Sequence, residues 1–166
     1  MTRAVLWDLD GTLVDSERYH WRSWRDALAA EGVALTYDRF LASFGQRNDR
    51  ILRGWLGEDT PADRLQRIGD AKEAEYRRLA ETEGLSPLPG AAEWAARLHA
   101  RGWTQAIASS APRLNVEVML RVLDLARFFD AIVAAEDVTA GKPDPQVFLR
   151  AGAKLSVSPA LSLIHI

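Results

Sequence analysis

The segment Ala4-Val5-Leu6-Trp7-Asp8-Leu9-Asp10-Gly11-Thr12 places the tightest constraint on what this chain can fold into. Ala4 to Trp7 is an apolar run without polar interruption, the pattern of a strand buried on both faces. It ends on Asp8, and Asp10 follows two residues later. Side chains alternate along an extended chain, so the two carboxylates project to the same side if the strand continues. Gly11 then permits a sharp turn and leaves room beside the second acid. Two carboxylates at the end of a buried strand need a cation, a shared proton or water. A divalent ion such as Mg²⁺ takes oxygen ligands and suits one or two carboxylates together with a substrate phosphate. Asp-Gly after a strand also signals a hairpin, but no alternating partner strand follows, and Leu13 to Leu28 reads as the approach to a helix.

Beyond that segment the pattern is helical as far as about Ser86. Ser16 is a candidate N-cap and Gly32 a candidate stop, with Trp21, Trp24 and Leu28 forming one apolar stripe between them. Ser16, His20 and Trp24 are spaced by four and share a line on that helix, starting just after the aspartates. His20 therefore reads either as a residue at the mouth of a site, touching substrate or Asp10, or as a half-buried histidine satisfied by backbone. A second helix is expected from Thr36 to about Phe44. The apolar positions Ile51, Leu52, Trp55 and Leu56 indicate another, and Thr60-Pro61 with Asp63 starts a long one that Gly84 ends. Lys72 falls in the middle of that last helix's apolar face, among Leu65, Ile68, Tyr76 and Leu79. It either snorkels or faces a cleft that holds an anion.

Ser86-Pro87-Leu88-Pro89-Gly90 is a stiff, turn-rich hinge. After it strands and helices alternate. Ala91 to Arg101 reads as a helix with Trp94, Ala95 and Leu98 inward. Trp103 to Ala108 is a strand ending at Ser109-Ser110, and Pro112 opens a helix. Phe128 to Val133 leads into a third strand, Asp144-Pro145 opens a helix to Leu155, and Leu161 to Ile166 is a final apolar run. That alternation predicts an α/β fold, a doubly wound parallel sheet, which binds ligands beyond the carboxyl ends of its strands. The expected division is residues 1–14 and 88–166 as the α/β core and 15–87 as an inserted α-helical cap. A hydroxyl and a backbone amide at a helix start make a phosphate seat, which suits Ser109; Ser109 and Ser110 read equally as helix caps. Lys142, in Gly141-Lys142-Pro143-Asp144-Pro145, is the candidate for neutralising a phosphoryl group, or a loop lysine.

Taken in order, these segments carry a resemblance. Asp8-Leu9-Asp10-Gly11-Thr12 resembles the first motif of the haloacid dehalogenase superfamily, and strand-Ser109 and Gly141-Lys142-Pro143-Asp144-Pro145 resemble its second and third. The similarity covers nearly the whole chain and is greatest to the group of β-phosphoglucomutase and phosphoglycolate phosphatase, which carries a helical cap after the first motif. The resemblance implies a Mg²⁺-dependent phosphatase or phosphomutase acting on a small phosphorylated metabolite, a sugar phosphate. It implies Asp8 as the nucleophile that becomes an aspartyl-phosphate and Asp10 as general acid and base, both at the metal. Ser109 and Lys142 would hold the transferring group. His20 and Trp24 fall where such proteins have a cap histidine and tryptophan. Lys72 matches a cap lysine that contacts substrate phosphate, and Arg47 sits near a cap arginine. With Ser110, the residues His20, Trp24 and Lys72 form the expected substrate-binding set. β-Phosphoglucomutase proper is one alternative. The family's fourth motif, an acidic pair that holds Mg²⁺, is expected about where the sequence stops at Ile166. That leads to the expectation of a C-terminally incomplete chain and, as a second alternative, of an inactive fragment; a lone His165 is a poor Mg²⁺ ligand.

Composition narrows the partners. A formal net charge of −2 gives no electrostatic footprint for nucleic acid, and the absence of cysteine excludes a disulfide framework and a thiolate metal site. No apolar run approaches the ~20 residues of a membrane span, and Met1-Thr2-Arg3 leads straight into the first strand, so no signal peptide is expected. The expectation is a cytoplasmic monomer with no nucleic-acid or membrane partner.

Overall fold

The computed structural model describes residues 3–158 and 162–165, the last four as backbone. Among the described residues, four strands, β1 (Ala4–Trp7), β2 (Thr104–Ala108), β3 (Ala131–Val133) and β4 (Ser162–His165), form one parallel sheet in the order β3-β2-β1-β4. The central strand β1 pairs Leu6 with Ala106 on one side and with Ile164 on the other. Every residue of β1 is buried, as the uninterrupted apolar run requires. The fold is therefore the α/β, doubly wound parallel architecture. Helices α5 (Ala91–Ala100) and α6 (Arg113–Val122) pack on one face with Val5, Trp7 and Ile107, and α7 (Gln146–Lys154) packs on the other with Leu6, Ala106 and Val133.

Four helices lie between β1 and α5: α1 (Glu17–Ala29), α2 (Tyr37–Leu41), α3 (Asn48–Leu56) and α4 (Ala62–Glu83). They have their own apolar centre, formed by Trp24, Leu28, Phe40, Ile51, Leu52, Leu65 and Ile68. Yet α1 and α4 belong to two cores at once. Tyr19 of α1 and Tyr76, Leu79 and Ala80 of α4 are fully buried in the cluster beneath the sheet. The chain leaves and rejoins the sheet through adjoining segments: Leu88 N donates to Leu13 O at 3.0 Å and Asp15 N to Ser86 O at 3.1 Å.

Several local expectations are corrected. The helix expected over Thr36 to Phe44 closes at Leu41; Thr36 does cap it, accepting the amide of Arg39. Pro61, Pro112 and Pro145 each stand one position before the first helical residue rather than at it. The third strand is confined to Ala131–Val133, because Ala126–Phe128 forms a 3-10 turn. Trp94 does not point inward: it is 53 % exposed, while Ala91 and Ala95 of the same helix are buried. Trp94 lies on the flank of the apolar stripe, where its ring faces Gly90 and the guanidinium of Arg97. No helix among the described residues is long and apolar enough to cross a membrane.

The double membership of α4 sets a prediction. Leu79→Ala opens a cavity in the packed core and is expected to cost about 2–5 kcal/mol. Trp94→Ala, on the outer face of α5, is expected to cost no more than about 0.5 kcal/mol. Urea unfolding of the two variants checks the contrast.

Candidate active site

The two aspartates follow the end of β1 on a turn that their own backbone closes. The amides of Thr12, Leu13 and Val14 all donate to Leu9 O, and Gly11 N donates to Val14 O. Gly11 takes φ +73°, a left-handed conformation that favours glycine, and the hairpin signal of Asp-Gly is spent on this turn. The Asp8 carboxylate sits at the mouth of the sheet. Its Oδ1 accepts the Leu9 amide at 2.7 Å and meets Lys142 Nζ at 2.6 Å. Burial pushes the Asp8 carboxyl up from its ordinary value, and the nearby Lys142 ammonium only partly offsets this.

Lys142 is delivered by the loop that precedes α7. Gln146 Oε1 accepts the amides of Thr139 and Ala140 at 2.7 and 2.9 Å, and Asp144 Oδ1 accepts the amide of Gln146. Arg47, at the start of α3, reaches over the same loop and donates to the carbonyls of Ala135 and Val138. A Cβ on Gly141 would stand 2.6 Å from Arg47 Cδ, so any side chain there would force Arg47 out of this position over the loop.

Asp10 is held differently. Its Oδ1 accepts the Ser16 hydroxyl at 2.6 Å and pairs with His20 Nε2 at 2.9 Å. Burial alone would raise the Asp10 carboxyl, but the adjacent His20, the Ser16 donor and the Lys72 charge hold it below its ordinary value. Ser16 is thus the N-cap residue of α1 by position, but its hydroxyl serves Asp10 and caps nothing. The His20 ring stacks on Tyr76 at 4.2 Å, and its Nδ1 lies 3.0 Å from Lys72 Nζ. An ammonium can only donate, so Nδ1 accepts and the ring proton sits on Nε2, donated to Asp10.

Lys72 is buried, with Nζ 2.8 Å from Glu73 Oε1 and 5.1 Å from the centre of the Trp24 ring. Glu73 in turn accepts from Asn48 Nδ2 at 2.6 Å and from Asn115 Nδ2 of α6. These partners hold the Glu73 carboxyl below its ordinary value against the upward push of burial. Asp8, Asp10, His20, Trp24, Lys72, Glu73 and Ser110 line one chamber of about 50 Å³, with Phe44, Gly45 and Gln46 also in its wall. Ser109 and Lys142 are not among the lining residues. Ser109 is buried at the end of β2, with its hydroxyl accepting the Ala111 amide at 3.0 Å, and Lys142 reaches the chamber through Asp8. Trp24 is 2 % exposed and packs edge-on against Trp55, so only a small part of it faces the chamber.

A family model described as haloacid dehalogenase-like hydrolase matches residues 2–163. The chain belongs to that family. Among its relatives, hexitol phosphatase B of Escherichia coli is 33 % identical over 158 residues, which cover 94 % of this chain and 71 % of the relative. The solved structure of CbbY from Rhodobacter sphaeroides in complex with phosphate aligns with a TM-score of 0.88 at 27 % identity, over 99 % of this chain and 77 % of that one. β-Phosphoglucomutase from Clostridium difficile aligns with a TM-score of 0.89 at 23 % identity, over 99 % and 75 %, a likeness of fold. The chain is an enzyme of the hydrolase class.

For a haloacid dehalogenase-like hydrolase, the donor chemistry at the end of β1 fits a hard divalent cation in part. Asp8 and Asp10 offer two carboxylates, and among the described residues no group of three acidic or histidine side chains converges there. The side chain of His165 lies outside the described residues. Sequence reasoning missed Glu73, Asn48 and Asn115. Glu73 follows Lys72 directly, and neighbouring helical residues ordinarily face different ways. The available signal was the line Gly69, Glu73, Arg77 at four-residue spacing, which runs along the side of α4 that meets Asn48 and Asn115.

Acid sensitivity follows from these shifts. Asp10 and Glu73 both have depressed carboxyl values in the fold. Their contribution to stability is therefore complete above the ordinary carboxylate range, about pH 4. It is lost as pH falls through the depressed folded-state values. Unfolding midpoints measured from pH 7 downward are expected to fall in that acid range, and less steeply for Glu73→Gln.

Proposed function

We propose that the protein is a Mg²⁺-dependent phosphatase of small phosphorylated sugars or hexitols, acting through an aspartyl-phosphate on Asp8. The observation that carries this is the pairing of Asp8 with Lys142 at 2.6 Å beside a second aspartate, Asp10, held by Ser16 and His20 in the same chamber. The hexitol phosphatase relative supports the substrate class.

Phosphoryl transfer asks the protein for an aligned nucleophile and for positive charge around the equatorial oxygens. An Asp8 oxygen attacks phosphorus, the bond to the sugar oxygen breaks, and Asp10, ionised in the resting site, gives that oxygen a proton that it has taken up as substrate binds. Water then attacks the acyl-phosphate, Asp10 takes the proton back, and inorganic phosphate leaves with Asp8 restored. Lys142 neutralises the phosphoryl group as it arrives, and the amides after Ser109 at the start of α6 face the same end of the sheet. A bound Mg²⁺ on Asp8 and Asp10 would offset the repulsion between carboxylate and phosphate. His20, fixed by Lys72, keeps Asp10 in one orientation. Residues 15–87 act as a cap: a chamber of about 50 Å³ holds only a few waters, so the cap opens to admit substrate and closes to exclude water.

The test is phosphate release from sorbitol 6-phosphate with Mg²⁺. Asp8→Asn is expected to remove activity by about 10³-fold or more, and Asp10→Asn to lower it by about 10²–10⁴-fold. Chelation with EDTA is expected to abolish it. Hydrolysis that survives Asp8→Asn contradicts the proposal.

A further inference from the structure

Lys72 occupies the place where the resemblance expects a cation for the substrate, yet its charge is already spent. Nζ is bonded to Glu73 at 2.8 Å and to His20 at 3.0 Å, and both Lys72 and Glu73 are buried. No arginine is among the residues lining the chamber. Past Asn48, Glu73 and Ser110, which it shares, the chamber adjoins an outer cleft of about 480 Å³. There Asp49, Asp70 and Glu136 join Glu73 against two arginines. Arg47 is occupied by the carbonyls of Ala135 and Val138, and Arg53 by that of Glu58.

On the phosphatase reading, a leaving group on a phosphoryl held at Asp8 extends into this chamber, which Asp8 and Glu73 both line. A second anion held beside Glu73 would meet a carboxylate rather than a free cation, with part of its hydration lost. Neutral hydroxyl groups find acceptors and donors in Glu73, Asn48, Ser43 and Gln46, with Phe44 as an apolar wall.

Resting on the phosphatase reading above, we propose that Glu73 is the specificity-determining residue of the site. By neutralising Lys72 it restricts the leaving group to neutral polyols and sugars and turns away leaving groups that carry a carboxylate or a second phosphate. Glu73→Gln frees the Lys72 ammonium while keeping the side chain's size, and so converts the chamber to one that accepts an anionic leaving group.

The experiment is calorimetric binding to the full chain carrying Asp8→Asn, which prevents turnover, with and without E73Q. The probes are sorbitol 6-phosphate and 2-phosphoglycolate in the presence of Mg²⁺. With Glu73 intact, sorbitol 6-phosphate is expected to bind at least about tenfold more tightly; with E73Q, 2-phosphoglycolate is expected to gain about tenfold, the scale of one unscreened charge contact in a partly buried site. Equal or tighter binding of 2-phosphoglycolate with Glu73 intact overturns the proposal, as does an unchanged ratio in a folded E73Q protein or failure to bind either probe. If E73Q does not fold, the preference of the Glu73-containing chain decides alone. Binding needs no phosphoryl transfer, so a failed preference is distinguishable from a failed phosphatase reading, which the Asp8→Asn hydrolysis assay judges.

Discussion

Two carboxylates remain at the end of a buried strand only because each is matched to a cationic or hydrogen-bonding partner, and the rest of the fold supplies those partners. Lys142 comes from the loop between β3 and α7 and meets Asp8 at 2.6 Å. Ser16 and His20 come from the start of the first inserted helix and meet Asp10. The two acids are thus held in opposite electrostatic states. Burial raises the carboxyl of Asp8, while its partners lower that of Asp10. Both directions run against the roles proposed for the two acids, an ionised nucleophile at Asp8 and a proton donor at Asp10, so those roles require the charges that substrate and a bound cation bring.

The second pairing continues inward. From Asp10 an unbroken line of polar contacts runs through His20, Lys72 and Glu73 to Asn115 on α6, with Asn48 joining from α3. This line crosses from the inserted helices to the sheet's own layer. Breaking a buried pair by removing one partner leaves an uncompensated charge, so the same contacts that orient Asp10 also fasten the insert to the core in the closed arrangement. Arg47 and Gly141 make a second fastening at the loop that carries Lys142. The pair at Asp10 therefore draws on the inserted helices, while Asp8 and Lys142 both belong to the segments around the sheet.

Much of this was legible in the sequence because it rested on strong local signals. The uninterrupted run Ala4 to Trp7 specified a buried parallel strand, and the alternation after Gly90 specified a doubly wound sheet. The spacing of Ser16 and His20 placed both on the line that meets Asp10. Boundaries and outer faces were less legible. Trp94 sat at the flank of an apolar stripe, where sequence periodicity alone does not say how far neighbours cover it; it is 53 % exposed. Glu73 was hidden for a different reason. Its partners Asn48 and Asn115 lie 25 and 42 residues away, and the line Gly69, Glu73, Arg77 marks a side of α4 without naming the residues that the docking of α3 and α6 brings to it. Lys72 was read as snorkelling or facing an anion; the anion it faces is the carboxylate of the next residue.

Covalent attachment of phosphorus to the first aspartate is the step on which the proposed chemistry depends. The most direct measurement is mass spectrometry of the peptide containing Asp8 after rapid acid quench of the protein during turnover of a phosphorylated hexitol with Mg²⁺. The account predicts a phosphoryl adduct on the Asp8 side chain that reductive trapping with borohydride converts to homoserine at that position. An unmodified Asp8 together with continuing phosphate release, or an adduct on any other residue, would contradict it.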